Sequence, residues 1–285
     1  MTKSLSPLFK WTGGKRRELK DFSPFYPEYV KDNKEYTFVE PFVGAGAVFW
    51  SLNNLSGTNV INDYDADLVN FYQQIAAQDP FVLEEVGKVS AMFDVKDVDN
   101  HAERQAAYYY WRDKDRDNGL LNLTPAEKAT RFFIVNQLAF SGMRRFNAKG
   151  EFNVPFGHYK NFNSSALSSA PHAALLNNTK ILQGDYKAVI EENDNENTFI
   201  FIDPPYTRTM KTYSADNEFG DDKQYELRDT LVGLKNALWM VVIDKSDLTS
   251  ELYKDHITHT YALKYGVNIK NRMDTSVEHL VATNY

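Results

Sequence analysis

The tetrapeptide Asp203-Pro204-Pro205-Tyr206 carries the residue types best suited to chemistry in this sequence. It follows an apolar run, Thr198 to Ile202, that is typical of a buried strand. Two successive prolines fix the backbone path, so that the Asp203 carboxylate and the Pro204 carbonyl can act as rigid acceptors. Such acceptors would hold the hydrogens of a nucleobase amino group and favour attack by its nitrogen, while Tyr206 would stack on the base. The alternative is a Pro-Pro turn with a solvated aspartate.

A second candidate site is the glycine-containing loop Phe42-Val-Gly-Ala-Gly46, which follows a predicted strand and opens a helix-like stretch. Glycine lets the backbone approach a ligand, and a helix start adds a positive field. Asp63 stands 17 residues beyond Gly46, where an acidic side chain binds ribose hydroxyls in doubly wound sheets. Together these features favour an adenosine-containing cofactor, although a Gly-x-Gly turn can be purely structural. The dinucleotide pattern lacks its third glycine, which argues against a pyrophosphate-bearing cofactor.

The elements that must position these residues alternate between strands and helices at both ends of the chain. Strands are predicted at 36–42, 58–62, 181–182, 198–202, 238–243, 258–264 and 277–283, and helices at 65–77, 125–139, 185–192, 222–235 and 246–253. The helix that starts at Pro125 is indicated by Thr124-Pro-Ala-Glu127, a capping-box pattern with proline at the first helical position. We therefore predict one α/β sheet formed by residues 1–75 and 175–285, with a mainly helical insertion at 76–174 that contains a hairpin near 145–154.

The charge distribution is uneven, although the net charge is −7. Residues 1–20 contain six basic side chains and one acidic one, and residues 128–160 contain the same numbers. The rest of the chain is correspondingly acidic. A basic face of this kind can bind a polyanion while the other surfaces repel it. The alternative is that both clusters are ordinary solvated faces.

The chain of 285 residues contains no cysteine. This excludes a disulfide framework, a thiolate zinc site and a cysteine nucleophile. We find no secretory signal near Met1 and no apolar run of about 18 residues, so the sequence predicts a cytoplasmic protein without a membrane partner.

Several motifs, taken together, resemble the DNA adenine-N6 methyltransferase family, in its Dam- and DpnM-like group. They occur in the family's order across nearly the whole chain. The resembling segments are Phe9-Lys-Trp-Thr-Gly-Gly-Lys15, Glu40-Pro-Phe-Val-Gly-Ala-Gly46, Asn62-Asp63, Gly150-Glu-Phe-Asn-Val-Pro-Phe-Gly157, Tyr159-Lys160, Ile202-Asp-Pro-Pro-Tyr206 and Val281-Ala-Thr-Asn-Tyr285.

The resemblance implies a Rossmann-like methyltransferase sheet and S-adenosylmethionine as the methyl donor. Without it, Trp11 would be assigned to the core and Lys15 to the surface. The cofactor-binding positions that it implies are Trp11, Lys15, Glu40, Phe42, Gly44, Gly46, Asp63 and Asp203. Asp203 to Tyr206 would hold the target adenine, and no metal is required.

The resemblance also implies that the insertion recognises double-stranded DNA. The DNA-binding positions that it implies are Lys10, Phe140, Ser141, Met143, Arg144, Arg145, Asn147 and His158. Many members have Asn-Gly-Leu-x-Arg where this chain has Ser141-Gly-Met-Arg-Arg145, and arginine in place of His158. The serine puts a GATC target in doubt. The stretch Val242 to Asp247 also lacks the family's usual Ser-Asn pair.

The expected reaction is direct transfer of a methyl group to N6 of an adenine rotated out of duplex DNA. We expect Tyr108-Tyr-Tyr-Trp111 to pack inside the insertion. Three alternatives remain: an amino methyltransferase acting on RNA or protein, a DNA-binding protein of the same fold without turnover, and a nicotinamide-dependent oxidoreductase. The sequence leaves open whether a cognate restriction endonuclease is a partner and what the oligomeric state is.

Overall fold

The structure, a computed structural model, describes residues 4–11, 13–32, 34–94, 100–205, 219–264 and 276–285. Its strands are β1 (Thr37–Glu40), β2 (Thr58–Asp63), β3 (Thr179–Gln183), β4 (Thr198–Ile202), β5 (Leu238–Asp244), β6 (Ile257–Lys264) and β7 (Ser276–Thr283). Within the described residues they form a seven-stranded sheet with the order β3-β2-β1-β4-β5-β7-β6. The predicted strands are thus confirmed.

Strands β1 to β5 are parallel, whereas β7 runs antiparallel to both β5 and β6. The central strands β4 and β5 are almost continuously buried because helices cover both faces of the sheet. Their Ile- and Val-rich sequences fit this environment. The doubly wound arrangement confirms the predicted α/β class.

The helices begin and end close to the predicted positions. They are α1 (Leu19–Phe22), α2 (Glu28–Lys31), α3 (Ala47–Leu52), α4 (Ala66–Ala76), α5 (Pro80–Asp94), α6 (His101–Arg112), α7 (Pro125–Leu138), α8 (Ala170–Asn177), α9 (Tyr186–Glu192), α10 (Asp221–Val232) and α11 (Asp247–Leu252), with 3-10 turns at Lys15–Arg17, Ser23–Phe25, Asp113–Asn122 and Phe140–Gly142. Asp65 caps α4, and Thr124 forms the predicted capping box with Glu127. Helix α10 ends three residues before the predicted end, where Gly233 follows. Among the described residues, we find no helix that is both long and apolar enough to cross a membrane.

The insertion between β2 and β3 shares its hydrophobic core with the sheet. Phe38 of β1 and Phe201 of β4 belong to the same buried cluster as Phe71 of α4, Phe133 of α7 and Val154. A predicted domain boundary after residue 174 would fall within α8. The insertion is therefore held against the sheet by continuous apolar packing.

The aromatic run in α6 is divided between interior and surface. Tyr108 and Trp111 are buried, as predicted, and the Tyr108 hydroxyl donates to the carbonyl oxygen of Val154 at 2.8 Å. Tyr110 instead is largely exposed. Positions 108 and 111 are three residues apart, so they share the helix face that packs inside the insertion.

A buried ion pair ties the insertion's helices to its hairpin. The Asp115 carboxylate accepts a hydrogen bond from Arg131 of α7 at 2.5 Å and another from the backbone N–H of Phe152 at 2.6 Å. Its side chain is only 1% exposed. The strand-like pairing of Phe146 with Phe152 closes the hairpin that this carboxylate holds.

We expect Asp115→Ala to lower the free energy of unfolding by about 3–5 kcal/mol, because it leaves the Arg131 guanidinium buried without its counter-ion. Asp113→Ala is the matched control, since the Asp113 side chain is 42% exposed and pairs only at the surface; about 1 kcal/mol or less is expected there. Chemical denaturation measures both. Equal losses in the two variants would contradict the assigned role of Asp115.

Candidate active site

The carboxyl edge of the sheet collects the residues predicted to do chemistry. Strand β4 lies beside β1, and helices leave these two strands in opposite directions along the sheet order, which makes their carboxyl ends a topological switch point. Asp203, Pro204 and Pro205 follow β4 directly. The backbone carbonyl of Pro205 accepts a hydrogen bond from the buried Gln224 side chain at 3.3 Å, which anchors this loop to α10. Tyr206 lies outside the described residues.

Asp203 is in direct contact with Lys15. The Lys15 ammonium donates to Oδ1 of Asp203 at 2.7 Å, with the Lys15 side chain 2% exposed and the Asp203 side chain 21% exposed. Burial raises the pKa of Asp203, while the charge and hydrogen bond of Lys15 oppose that rise. The contact demonstrates that this carboxylate oxygen can accept an N–H donor at the carboxyl end of β4.

Behind Lys15 lies a buried polar network that sequence reasoning missed. Glu18 accepts hydrogen bonds from the Tyr261 hydroxyl at 2.7 Å and from Nδ1 of His279 at 2.8 Å. Burial alone would raise the pKa of Glu18, but the hydrogen bond from His279, the charge of Lys15 and the Tyr261 hydroxyl hold it below its ordinary value. One indication of this network was present in the sequence, because Glu18 is the only acid in a basic segment. Its partners could not be identified, since Tyr261 and His279 lie on β6 and β7, more than 240 residues away.

The glycine loop and Asp63 form the second half of the site. Oδ2 of Asp63 accepts a hydrogen bond from the backbone N–H of Gly44 at 2.9 Å, and Oδ1 accepts one from the N–H of Asp65 at 3.0 Å. Burial raises the pKa of Asp63 to about 6, despite these hydrogen bonds. The acidic side chain therefore meets the loop between β1 and α3, as the spacing predicted.

Both glycines occupy backbone conformations that other residues rarely adopt. Gly44 has φ +47° and Gly46 has φ +68°, and a Cβ added at Gly44 would lie 2.9 Å from Cδ1 of Trp11. At Gly46 an added Cβ would approach Trp50 and Tyr72 to 3.2–3.3 Å. The loop thus needs glycine for both backbone conformation and close packing.

Glu40 and Phe42 flank this loop in different ways. Glu40 is buried at the end of β1, and its Oε2 accepts the backbone N–H of Phe49 in α3 at 3.1 Å. Burial raises the pKa of Glu40 well above its usual range. The Phe42 ring instead packs against Tyr186, with ring centroids 4.9 Å apart, and against Phe219 at 5.6 Å. Glu40 therefore lies beneath the loop, whereas Phe42 packs on a separate hydrophobic cluster that includes Tyr186.

These residues fit an adenosine-containing methyl donor. Gly44 keeps the loop free of a side chain beside Trp11, Gly46 does so beside Trp50 and Tyr72, and Asp63 supplies a carboxylate at the neighbouring strand end. A sulfonium cation would be compatible with the surrounding acids, since Asp63 and Asp203 lie close enough to Glu40 to raise its pKa.

The segment 139–159 presents most of the predicted DNA-binding residues at the surface. Phe140 and Met143 are exposed apolar side chains, and Lys10 is exposed with its ammonium 5.2 Å from the Tyr159 ring centroid. Ser141 is also exposed and has φ +55°. Arg145 is exposed and donates to the Asn153 side chain at 2.8 Å.

Three other predicted DNA-binding residues make contacts within the protein. The Asn147 side-chain oxygen accepts backbone N–H groups at 2.9 and 3.0 Å and so builds the hairpin turn. Nδ1 of His158 lies 2.7 Å from Nε2 of His101. Arg144 turns toward the glycine loop and pairs with Asp65 at 2.8 Å. No pattern in the sequence distinguishes the direction of Arg144 from that of Arg145.

A doubly wound sheet whose switch point carries a glycine-containing loop and the Asp203 loop defines a Rossmann-like, nucleotide-binding type of α/β protein. Residues 11–269 match the family model described as D12 class N6 adenine-specific DNA methyltransferase, and the chain belongs to this family. It is 31% identical to a type II methyltransferase of Paramecium bursaria Chlorella virus NC1A, over 99% of this chain and 100% of that protein.

Two further relatives support the same assignment. The chain is 32% identical to a type II methyltransferase of Lactococcus lactis subsp. cremoris, over 99% of this chain and 96% of that protein. It is 31% identical to the DNA adenine methylase of Haemophilus influenzae, over 87% of this chain and 82% of that protein. The predicted family, fold class and enzymatic class are confirmed, as is S-adenosylmethionine as the cofactor. Family membership also argues against the oxidoreductase alternative.

We expect the affinity for S-adenosylhomocysteine to fall below pH 6, because Asp63, which we propose as the acceptor of hydrogen bonds from the ribose hydroxyls, loses its charge on protonation. The raised pKa of about 6 places this loss at the acid side of neutrality, with a limiting slope of about tenfold per pH unit for a single proton. Calorimetric titration between pH 5 and pH 8 measures it. Asp63→Asn should bind weakly at every pH, and an identical pH dependence in that variant would contradict the assignment.

Proposed function

We propose that the protein transfers the methyl group of S-adenosylmethionine to N6 of an adenine rotated out of double-stranded DNA. The observation that carries this proposal is the position of Asp203: its carboxylate follows β4, accepts an N–H donor, and stands beside the strand that leads into the Gly44 loop. Methyl acceptor and methyl donor would then meet across the junction of two adjacent strands.

Asp203 would act as a hydrogen-bond acceptor for the adenine amino group. That nitrogen is a poor nucleophile while its lone pair is delocalised into the ring. Accepting its hydrogens at the Asp203 carboxylate and the Pro204 carbonyl favours the pyramidal form that can attack. Catalysis then rests on alignment and on electrostatic stabilisation at the attacking nitrogen, with Tyr206 proposed as the stacking face for the base.

The cofactor would be held by the residues on the other side of the junction. S-adenosylmethionine supplies an electrophilic methyl group on a sulfonium centre. The Asp63 carboxylate would accept hydrogen bonds from the ribose hydroxyls, and Gly44 and Gly46 would allow the backbone to approach the cofactor closely. Trp11 covers the loop, and Lys15 holds Asp203 in place from within the protein.

The insertion would recognise the target sequence. We propose that DNA contacts the exposed side chains of segment 139–159 and the exposed Lys10, which lies beside Tyr159. The proposed contacts on the segment are Phe140, Ser141, Met143 and Arg145. Rotating the adenine out of the duplex costs a few kcal/mol, which contacts to the remaining DNA can offset. We propose that the target is a short site related to GATC. Ser141 stands where many family members have asparagine, so we propose that base recognition differs at this position.

We further propose that the protein modifies DNA as the partner of a restriction endonuclease. Two relatives that match nearly the whole chain are named type II methyltransferases. Transfer of tritiated methyl groups to unmethylated genomic DNA, followed by sequencing of the methylated product, tests the activity and identifies the target site. Label found in RNA or protein in place of DNA would overturn the proposed substrate.

We expect Asp203→Ala to lower the methylation rate by at least about 10²-fold, because it removes a preorganised polar group at the reacting nitrogen. Single-turnover kinetics measure the effect on the chemical step. Asp255→Asn is the control: this exposed carboxylate precedes β6 at the opposite edge of the sheet and should leave the rate unchanged. Near-normal turnover in a folded Asp203→Ala protein would reject the site.

Arg145→Ala should weaken binding to the cognate duplex by roughly 1–3 kcal/mol and relax the preference at one base pair, if the guanidinium reads a guanine edge. Methylation of a set of duplexes with single base-pair changes measures the preference. Lys149→Ala, on the turn of the same hairpin, is the control for loss of a nearby positive charge. Uniform weakening on every duplex would make Arg145 a phosphate contact.

A further inference from the structure

We propose that Arg144 couples target recognition to cofactor binding, by holding the recognition segment onto the nucleotide pocket through Asp65 and Trp11. We call these three residues the Arg144 latch. The inference rests on the proposed function, because it assumes that the Gly44 loop binds the methyl donor and that segment 139–159 binds DNA. It assigns Arg144 a positioning role in place of direct DNA contact.

The geometry of the latch separates Arg144 from its neighbours. Nη1 of Arg144 lies 2.8 Å from Oδ2 of Asp65, with the two side chains 23% and 18% exposed. The guanidinium carbon lies 4.8 Å from the centroid of the Trp11 ring and 5.7 Å from that of Phe132. Arg144 thus makes an ion pair and a stacking contact at once, which suits the planar guanidinium.

Both partners of Arg144 also contact the proposed cofactor-binding residues. Trp11 lies so close to Gly44 that an added Cβ would come within 2.9 Å of its ring. The backbone N–H of Asp65 donates to Oδ1 of Asp63 at 3.0 Å. Arg144 is therefore linked to Gly44 through Trp11 and to Asp63 through Asp65.

The charges give the latch an energetic consequence. Asp63, Asp65 and Asp67 lie within five residues, and the charge of Asp65 works against ionisation of both neighbours. The charge of Arg144 opposes this effect at Asp67, whose pKa it lowers. A partly buried pair is screened less by salt than an exposed one. Loss of Arg144 would therefore leave Asp65, which donates its backbone N–H to Asp63, without its cationic partner.

The backbone just before Arg144 turns through two residues of left-handed conformation at an exposed apolar surface. Ser141 and Gly142 have φ values of +55° and +63°, and the exposed Phe140 and Met143 flank them. A ligand that repositions this segment would shift Arg144 on Trp11 and Asp65. Coupling between two binding sites is reciprocal. If bound DNA raises the affinity for the cofactor by a given factor, the bound cofactor raises the affinity for DNA by the same factor.

The test is the binding of S-adenosylhomocysteine, measured by calorimetry with and without an unmethylated duplex that carries the target site found by sequencing. We expect the duplex to tighten binding to the wild-type protein by about fivefold or more, the lower end of typical coupling. Arg144→Ala and Asp65→Asn should each reduce this factor to below about twofold. The double variant should show no further reduction, because both changes remove the same contact between Arg144 and Asp65.

The variants are chosen to separate coupling from folding. Asparagine caps a helix as well as aspartate does, so Asp65→Asn keeps the start of α4 while it removes the charge. Arg144→Lys should restore part of the coupling, since it returns the charge without the planar stack. Lys254→Ala removes a cation from an ion pair of 2.9 Å with Glu251 on α11 and should behave as wild type.

Other outcomes overturn the latch and leave the proposed function intact. If Arg144→Ala weakens DNA binding equally with and without the cofactor product, Arg144 is a phosphate contact. If the wild-type protein methylates DNA but both latch variants keep the full coupling factor, the latch is rejected. Failure of the wild-type protein to methylate DNA at all would instead reject the proposed function.

Discussion

The parallel pairing of β2, β1 and β4 is the constraint on which the whole site depends. Val39 of β1 is paired with Val60 of β2 on one side and with Ile200 of β4 on the other. Because all three strands point the same way, their carboxyl ends lie at one edge of the sheet. Gly44, Asp63 and Asp203 are thereby brought together from segments that are up to 159 residues apart in the sequence.

This arrangement concentrates carboxyl groups where water is scarce. Burial raises the pKa values of Glu40, Asp63 and Asp203, and such clusters occur chiefly at functional sites because they cost stability. The protein offsets the cost with the Lys15 ammonium and with backbone N–H groups of the glycine loop and of α3. This arrangement supports the proposal that a cationic cofactor binds on one side of the site and an amino group on the other.

Much of this could be predicted because the signals are local. Apolar runs predicted the strands, and the residues just after them, such as Asp63 and Asp203, had to lie at the carboxyl edge once the sheet was parallel. Asp65 and Thr124 predicted helix starts, because capping depends on neighbouring residues. The assignment of individual cofactor positions such as Trp11 and Lys15 came from family resemblance.

What could not be predicted depends on contacts between distant segments. Glu18 meets Tyr261 and His279 only because β6 and β7 fold back beside the start of the chain. Arg144 and Arg145 are adjacent residues of the same type, yet Arg144 pairs with Asp65 and Arg145 with Asn153, and only the folded chain brings those partners into reach. Charge counting assigned both arginines to one basic face, whereas packing places Arg144 on Trp11.

The most direct measurement is a crystal structure of the protein with S-adenosylhomocysteine and a duplex that contains the target adenine. The account predicts the nucleoside against the Gly44 loop with its ribose on Asp63, and the extruded adenine with its amino nitrogen within hydrogen-bond distance of Asp203. A nucleoside bound away from the carboxyl ends of β1 and β2, or an adenine whose amino group does not face Asp203, would contradict it.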